Sequence, residues 1–297
     1  MTLHRKIESL LATGLEAGEA RAQMLLLLDH LGGLTTADVL AGKDELLDPS
    51  VQAKLLEAAQ RVAQGEPVQQ VVGWTEFCGL RIAVTPDVLI PRPETEELVE
   101  WIVEREAWSV NSEEKNDGRI KILDIGTGSG CIALTLKHVR PQSDVTAVDV
   151  SEPALAVARE NSVQTRLDIR LEQVNILTEL PSDGPYDIVV SNPPYIPQSE
   201  QAEMDGRVLH HEPHEALFVS DDNPLTFYHA IGQKAQKLLT QGGRLYLEIN
   251  RRYGPAVTEL LRRLGYEDVE LRQDQFGNDR MVRACHQQAS RPTWNEN

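Results

Sequence analysis

Up to about residue 65, Leu10, Leu11, Ala22, Met24, Leu25, Leu28 and Leu31 recur at intervals near three and four among charged positions, the spacing of amphipathic helices. The pattern predicts a small helical module. Gly32-Gly33 punctuates it, and in "LLDPS" either Asp48 or Ser50 is placed to cap a helix running through "VQAKLLEAAQRVAQG". "VQQVVGWTEFCGLRIAV" then turns to β-branched and aromatic residues broken by Gly73 and Gly79, as a hairpin does. "RPETEELVEWIVEREAW" returns to helical spacing, and "NSEEKNDGR" is a polar break. From Ile120 the rhythm changes again, to "IKILDIG", "CIALTLKHV", "DVTAVDV", "EPALAVARENSV", "IRLEQVN", "YDIVVSN", "FYHAIGQKAQKLL", "GRLYLEIN", "AVTELLRRLG" and "DVELRQD". Alternating strand and helix at this spacing predicts an α/β fold, a mostly parallel sheet with helices on both faces. The boundaries expected are a helical domain at 1–67, a β-hairpin connector at 68–85, an α/β domain at 86–285 and a disordered tail at 286–297.

Composition adds limits rather than a function. A chain of 297 residues, 41% apolar and 25% charged, can bury a full core and a second, smaller one. The N-terminal stretch lacks an apolar signal core, and no run approaches the ~20 apolar residues that span a bilayer, so a cytoplasmic protein without membrane contact is expected. Cys78, Cys131 and Cys285 are widely spaced and form no Cys-x-x-Cys pair; they read as three buried thiols, not as a disulfide framework or a zinc site. His210, His211 and His214 with Glu212 fit no standard zinc spacing and read as a polar loop, and no metal is expected. The formal net charge of −17 argues against broad binding to nucleic acid, which rests on Lys and Arg neutralising phosphates. Lysine is scarce among the 29 basic residues, an acidic balance typical of salt-adapted chains. Its thermal stability should then rise between low and molar salt, and a flat melting curve series would remove that reading.

Candidate chemistry begins at "LDIGTGSGCIAL". Gly126, Gly128 and Gly130 follow a strand and precede a helix, where glycines allow a sharp turn and close approach of a ligand to free N–H groups. A dinucleotide fingerprint would require glycine at 131, which is Cys131, so the fit to NAD is poor. Asp124 before the loop suits an S-adenosylmethionine loop better, with its carboxylate near the ligand's ammonium. Asp149 closes the next strand, where a carboxylate can accept hydrogen bonds from both hydroxyls of a ribose. Each feature alone could be a tight turn or a helix cap; together in a βαβ setting they point to a nucleoside cofactor.

Asn192-Pro193-Pro194-Tyr195 ends the fourth strand of the α/β domain, and in open α/β sheets ligands collect outside the carboxyl ends of the strands. An amide or aromatic –NH₂ is a weak nucleophile because its lone pair is delocalised. The Asn192 side-chain oxygen and the Pro193 carbonyl can each accept one of its N–H groups, the prolines fix that carbonyl's direction, and Tyr195 can stack on a planar group. Catalysis of this kind is positioning and electrostatics, with no base required before attack.

With these residues in place the chain resembles the class I S-adenosylmethionine-dependent methyltransferases that carry an (Asn/Asp/Ser)-Pro-Pro-(Tyr/Phe) motif, a motif shared with adenine-methylating enzymes. "GWTEFCGLRIAV" at 73–84, "LIPRPETEELVEW" at 89–101, "HEPHEAL" at 211–217, "GGRLYLEIN" at 242–250 and "DQFGNDRMVRA" at 274–284 are similar to the PrmC/HemK family, the glutamine methyltransferases of peptide chain release factors. The resemblance implies a Rossmann-like catalytic domain and an N-terminal domain that recognises substrate. It implies S-adenosyl-L-methionine as donor, leaving as S-adenosyl-L-homocysteine, and methylation of the glutamine side-chain amide in a release factor's Gly-Gly-Gln loop. Carried onto this chain, it places Asp124, Gly126, Thr127, Gly128, Ser129, Gly130, Asp149, Asn175, Ile176 and Asn192 at the cofactor. Asn192, Pro193, Pro194 and Tyr195 would grip the glutamine, with Arg92, Pro93, Glu94 and Thr95 forming a loop over it. Asn192, Pro193 and Tyr195 are the catalytic candidates. Gln70 and Asn250 depart from the tyrosine and glycine common in the family and are expected away from the quartet. The protein is read as a monomer whose partners are release factors, without direct nucleic-acid contact. Methylation of a nucleic-acid base, and a non-catalytic binding protein on the same fold, remain the alternatives at this point.

Overall fold

The computed structural model describes residues 1–106 and 119–287; most of the polar break and the tail beyond residue 287 lie outside the described residues. Its contacts divide the chain into one unit of Met1–Thr75, Val84–Pro86 and Glu203–Glu212, and a second of Glu76–Ala83, Asp87–Ala202 and Pro213–Asn297.

The first unit is helical: α1 (Leu3–Leu11), α2 (Ala17–Gly32), α3 (Thr36–Leu40), α4 (Pro49–Ala63) and α5 (Val68–Val72). Leu3, Ile7 and Leu11 lie four apart on one face of α1, and they are buried with Met24, Leu27 and Leu28 of α2 and Leu55, Ala59 and Val62 of α4. Asp48 caps α4 by accepting from the Ser50 N–H at 2.8 Å, with Pro49 at the first helical position, where the missing N–H costs nothing. Residues 68–72 were expected to open the hairpin and instead form α5. Pro67 fixes the entry backbone, Gly73 at φ +84 ends the helix, and burial of Val68 and Gln70 overrides the strand preference of the valines. Gln70 donates its side-chain N–H to the His211 carbonyl at 2.8 Å, tying the 203–212 segment into this unit.

The hairpin itself is shorter than expected, β1 (Trp74–Phe77) and β2 (Leu80–Ala83). Its two-residue turn puts both Cys78 (φ +46) and Gly79 (φ +76) in the left-handed region, the geometry that suits the twist of a tight hairpin. Cys131 and Cys285 are buried as expected, but Cys78 is only half-buried because it occupies this turn. All three are free thiols.

In the second unit, β3 (Lys121–Ile125), β4 (Asp144–Asp149), β5 (Arg170–Gln173), β6 (Tyr186–Ser191), β9 (Leu239–Glu248), β10 (Glu267–Gln273) and β11 (Asp279–Cys285) form one sheet in the order β10-β11-β9-β6-β3-β4-β5. The small pair β7 (Ile196–Pro197) and β8 (Phe218–Val219) stands apart. Pairing is parallel from β5 through β9, and β11 runs antiparallel to both β9 and β10. Helices α6 (Pro93–Arg105), α7 (Cys131–Val139) and α8 (Glu152–Thr165), then α10 (His214–Leu217), α11 (Thr226–Leu238) and α12 (Gly254–Arg263), complete it; α9 (Gly206–His211) belongs to the helical unit. Successive strand residues feed opposite cores. Ile122, Ile188 and Tyr246 pack with α6 and α7, and Leu123, Val189 and Leu245 pack with α11 and α12. Covering both faces is why these strands read as continuous apolar runs. Strand order reverses at β3, which lies between β4 and β6, so a crevice opens outside their carboxyl ends. Among the described residues no helix is long and apolar enough to cross a membrane.

Candidate active site

The glycine loop leaves β3 at that reversal. Gly126, Gly128 and Gly130 all have positive φ, 72°, 56° and 82°, values that a side chain makes costly. The Gly126 and Thr127 N–H groups both donate to the Val148 carbonyl, at 2.8 and 3.0 Å, which folds the loop back over β4. A Cβ on Gly130 would stand 3.2 Å from the Ala158 Cβ, so this glycine lets α8 approach the loop. A Cβ on Gly126 would stand 4.0 Å from the Asn192 backbone oxygen, so loop and quartet face one another. Asn161 of α8, fully buried and not foreseen as part of the site, donates to the Ser129 carbonyl at 2.9 Å and bonds both backbone groups of Ala83. A polar residue inside an apolar helical pattern was the only hint of that brace.

Asp124 lies completely buried beneath the loop. Its Oδ2 accepts from the Thr127 hydroxyl at 2.6 Å, and Oδ1 has no hydrogen-bond partner among the described residues. Burial pushes its carboxyl up from 3.8 to about 7, with the Thr127 hydroxyl and the first-turn amide of Ala133 pulling the other way. The folded state therefore holds a proton that the unfolded state has released, so stability from this group falls as pH rises through that window. Asp124→Asn should increase the unfolding free energy of the ligand-free protein more at pH 8 than at pH 5, by a difference on the order of a few kcal/mol. Parallel pH profiles for the two proteins would contradict this.

Asp149 ends β4. Its Oδ2 accepts from the Gly128 N–H and its Oδ1 from the Ser151 N–H, both at 2.9 Å, which leaves each oxygen a further lone pair. The helix cap of α8 is Ser151, whose hydroxyl accepts from Ala154, so Asp149 is not needed as a cap. Burial raises its carboxyl pKa, offset by those backbone donors.

Gly126, Gly128 and Asp149 line a cavity of ≈ 250 Å³. Asn175 and Ile176 after β5 and Asn192, Pro193 and Pro194 after β6 share its wall. Lys234 of α11 holds the 175–179 turn by donating to the carbonyls of Ile176 and Glu179, at 2.5 and 2.8 Å. Thr127, Ser129, Gly130 and Asp124 are buried and do not line it, and neither Tyr195 nor the 92–95 segment is among its lining residues. Sequence reasoning missed Asp87 to Leu89, Pro213, Glu215, Ala216 and Phe227, which complete the enclosure. The motif "HEPHEAL" had marked three of these without a role; nothing local distinguishes Phe227 from a core aromatic.

The quartet is held from behind. Tyr195 packs its ring against the apolar core and donates its hydroxyl to Glu248 at 3.0 Å. Asn192 donates Nδ2–H to the Thr95 hydroxyl at 3.1 Å, and Thr95 donates to Glu248 at 2.6 Å. Arg92 caps and Pro93 opens α6, and within the segment expected over the substrate Thr95 is buried, its hydroxyl shared between Asn192 and Glu248. Asn250 also corrects an expectation. Placed away from the quartet on sequence grounds, it donates Nδ2–H to the Tyr195 carbonyl at 3.2 Å, a contact glycine cannot make. His210 and His211 fall on α9 and His214 on α10. Among the described residues no group of three or more His, Cys, Asp or Glu side chains is placed to hold a metal ion.

Comparison with known proteins agrees with this geometry. Residues 3–73 match the PrmC N-terminal domain family and residues 111–218 the methyltransferase small domain family. A release factor glutamine methyltransferase of Bacteroides thetaiotaomicron is 41% identical over 267 residues, covering 90% of this chain and 92% of its own. One of Flavobacterium psychrophilum is 40% identical over 273 residues, covering 92% and 94%. Among solved structures, a methyltransferase from Pyrococcus furiosus aligns with a TM-score of 0.51 at 19% identity, over 81% of this chain and 100% of that one. The hMettl16 catalytic domain, solved in complex with the MAT2A 3′UTR hairpin 6, aligns with a TM-score of 0.54 at 16% identity, over 79% of this chain and 84% of that one; at such identities these two speak to the fold alone. With relatives this similar over nine-tenths of its length, the chain belongs to the release factor glutamine methyltransferase family.

Proposed function

We propose that this protein transfers a methyl group from S-adenosyl-L-methionine to the side-chain amide nitrogen of the glutamine in a release factor's Gly-Gly-Gln loop. The observation that carries the reading is a single cavity walled by Gly126, Gly128 and Asp149 on one side and by Asn192, Pro193 and Pro194 on another. The residues fit the donor. Asp149 keeps a lone pair on each oxygen for a pair of hydroxyls, and the glycines present backbone without Cβ. When bound, the donor supplies a methyl group activated by a sulfonium centre.

The protein's own contribution is orientation. The Asn192 side-chain oxygen and the Pro193 carbonyl each accept one N–H of the glutamine amide, turning its nitrogen lone pair toward the donor and holding it out of conjugation. The Pro193-Pro194 pair fixes the backbone so that this carbonyl does not have to be reoriented. Neutral Tyr195, whose phenol burial keeps well above its ordinary pKa, anchors the end of the quartet through Glu248. The proton on the methylated nitrogen leaves after transfer, so no side chain must remove it beforehand.

Two glycines beside the target let a loop enter a narrow crevice, and the helical unit is assigned to gripping another surface of the factor. The enzyme acts in the cytoplasm, where release factors work. Incubation with labelled donor and either release factor or RNA and DNA tests this. Label should enter the release factor alone; label confined to nucleic acid would replace the reading with base methylation.

A further inference from the structure

We propose that Glu248 and Thr95 are positioning residues that set which way the Asn192 amide faces, and so which of its atoms meets the substrate. The inference rests on Asn192 as the substrate acceptor. Glu248, at the end of β9, is 1% exposed and far in sequence from both residues it orders. Its Oε1 accepts from the Tyr195 hydroxyl at 3.0 Å and its Oε2 from the Thr95 hydroxyl at 2.6 Å. Burial pushes this carboxyl up, while Thr95, Tyr195 and the Arg280 guanidinium favour its charged form. Arg280 is itself fixed by Asp274 at 3.2 Å.

A carboxylate only accepts, and a hydroxyl has a single proton to donate. Once Thr95 donates that proton to Glu248, its oxygen can only accept from Asn192. The Asn192 amide must therefore turn its Nδ2 toward Thr95, as observed at 3.1 Å, and its Oδ1 is left for the N–H of an incoming amide. A flipped Asn192 would place two acceptor oxygens against each other and present an –NH₂ to a substrate that is itself an –NH₂ donor. The direction of every hydrogen bond in the chain is thus set by the charge at its buried end. Glutamine at 248 would lose that direction, since its own –NH₂ can donate to Thr95 and release the Thr95 proton toward Asn192 Oδ1.

Three variants and two readouts test the relay. Thr95→Val keeps the shape and removes the hydroxyl; it should lower kcat by about 10²-fold, as misplacement of a reacting group does, with KM for donor and release factor within about twofold. Thr95→Ser restores the hydroxyl and should return kcat to within about threefold of wild type, while Glu248→Gln should fall between the two. The second readout is solvent exchange of the Asn192 side-chain amide protons by NMR, assigned by their absence in Asn192→Ala. One proton should exchange roughly five- to tenfold more slowly in wild type and Thr95→Ser than in Thr95→Val, the loss of one hydrogen bond. Wild-type kcat in Thr95→Val, no rescue by Thr95→Ser, or equal exchange in all proteins would overturn the relay. Should wild type methylate no glutamine at all, the functional reading fails while the exchange rates still decide the relay. Should Thr95→Val not fold, Glu248→Gln against wild type decides it by the same exchange.

Discussion

Asn192→Ala is expected to lower kcat for release-factor methylation by about 10²- to 10³-fold, the loss seen when one preorganised polar group is removed from a reacting centre. The effect falls on kcat because Asn192 acts on the orientation of the nitrogen during transfer, whereas the Pro193 carbonyl and the crevice still hold the substrate. Fold is not at risk. The Asn192 side chain makes one hydrogen bond to Thr95, and Ser191, which joins β6 to β3 by donating to the Ile125 carbonyl at 2.7 Å, is untouched. Single-turnover kinetics at saturating donor separates the step from binding. Turnover near wild type would remove Asn192 from the mechanism.

The second large effect is on the donor. Asp149→Ala should weaken S-adenosylmethionine binding about 10²- to 10⁴-fold, because two hydrogen bonds to a charged acceptor contribute about 1.5–3 kcal/mol each. Part of that loss is local order, since Asp149 also holds the Gly128 N–H and the Ser151 N–H. Asp149→Asn removes half of each contribution, one backbone acceptor and one hydroxyl acceptor. It retains one acceptor oxygen and should weaken binding only about tenfold. Calorimetry of donor binding checks both, and unchanged affinity in Asp149→Ala would place the donor elsewhere.

What was legible in the chain, and what was not, follows from the range over which each feature is determined. The α/β rhythm from Ile120 onward is local periodicity, and the strands ending at Ile125, Asp149 and Ser191 stand where alternation and loop glycines place them. Helix α5 was hidden because "VQQVV" has strand propensity, and only burial against the helical unit makes it a helix. Within the site, loop and strand-end positions such as Gly126, Asp149 and Asn192 are visible in the sequence because motif and topology coincide there. The side on which a residue faces is not. Thr95 and Tyr195 read as pocket residues and are not among those lining the cavity; each donates to Glu248, 153 and 53 residues away in the chain. Glu248 lay within "GGRLYLEIN" but was given no role, a polar residue ending an apolar strand. Asn250 looked like a departure in a distant loop and touches the quartet, because the ends of β6 and β9 are neighbours in the sheet.

The most direct test of the account is mass spectrometry of a release factor incubated with this protein and S-adenosylmethionine, digested and fragmented across its Gly-Gly-Gln loop. The account predicts one added methyl group on the side-chain amide of that glutamine, present with wild-type protein and nearly absent with Asn192→Ala. A methyl group on another residue, or an unmodified loop alongside methylated nucleic acid, would contradict it.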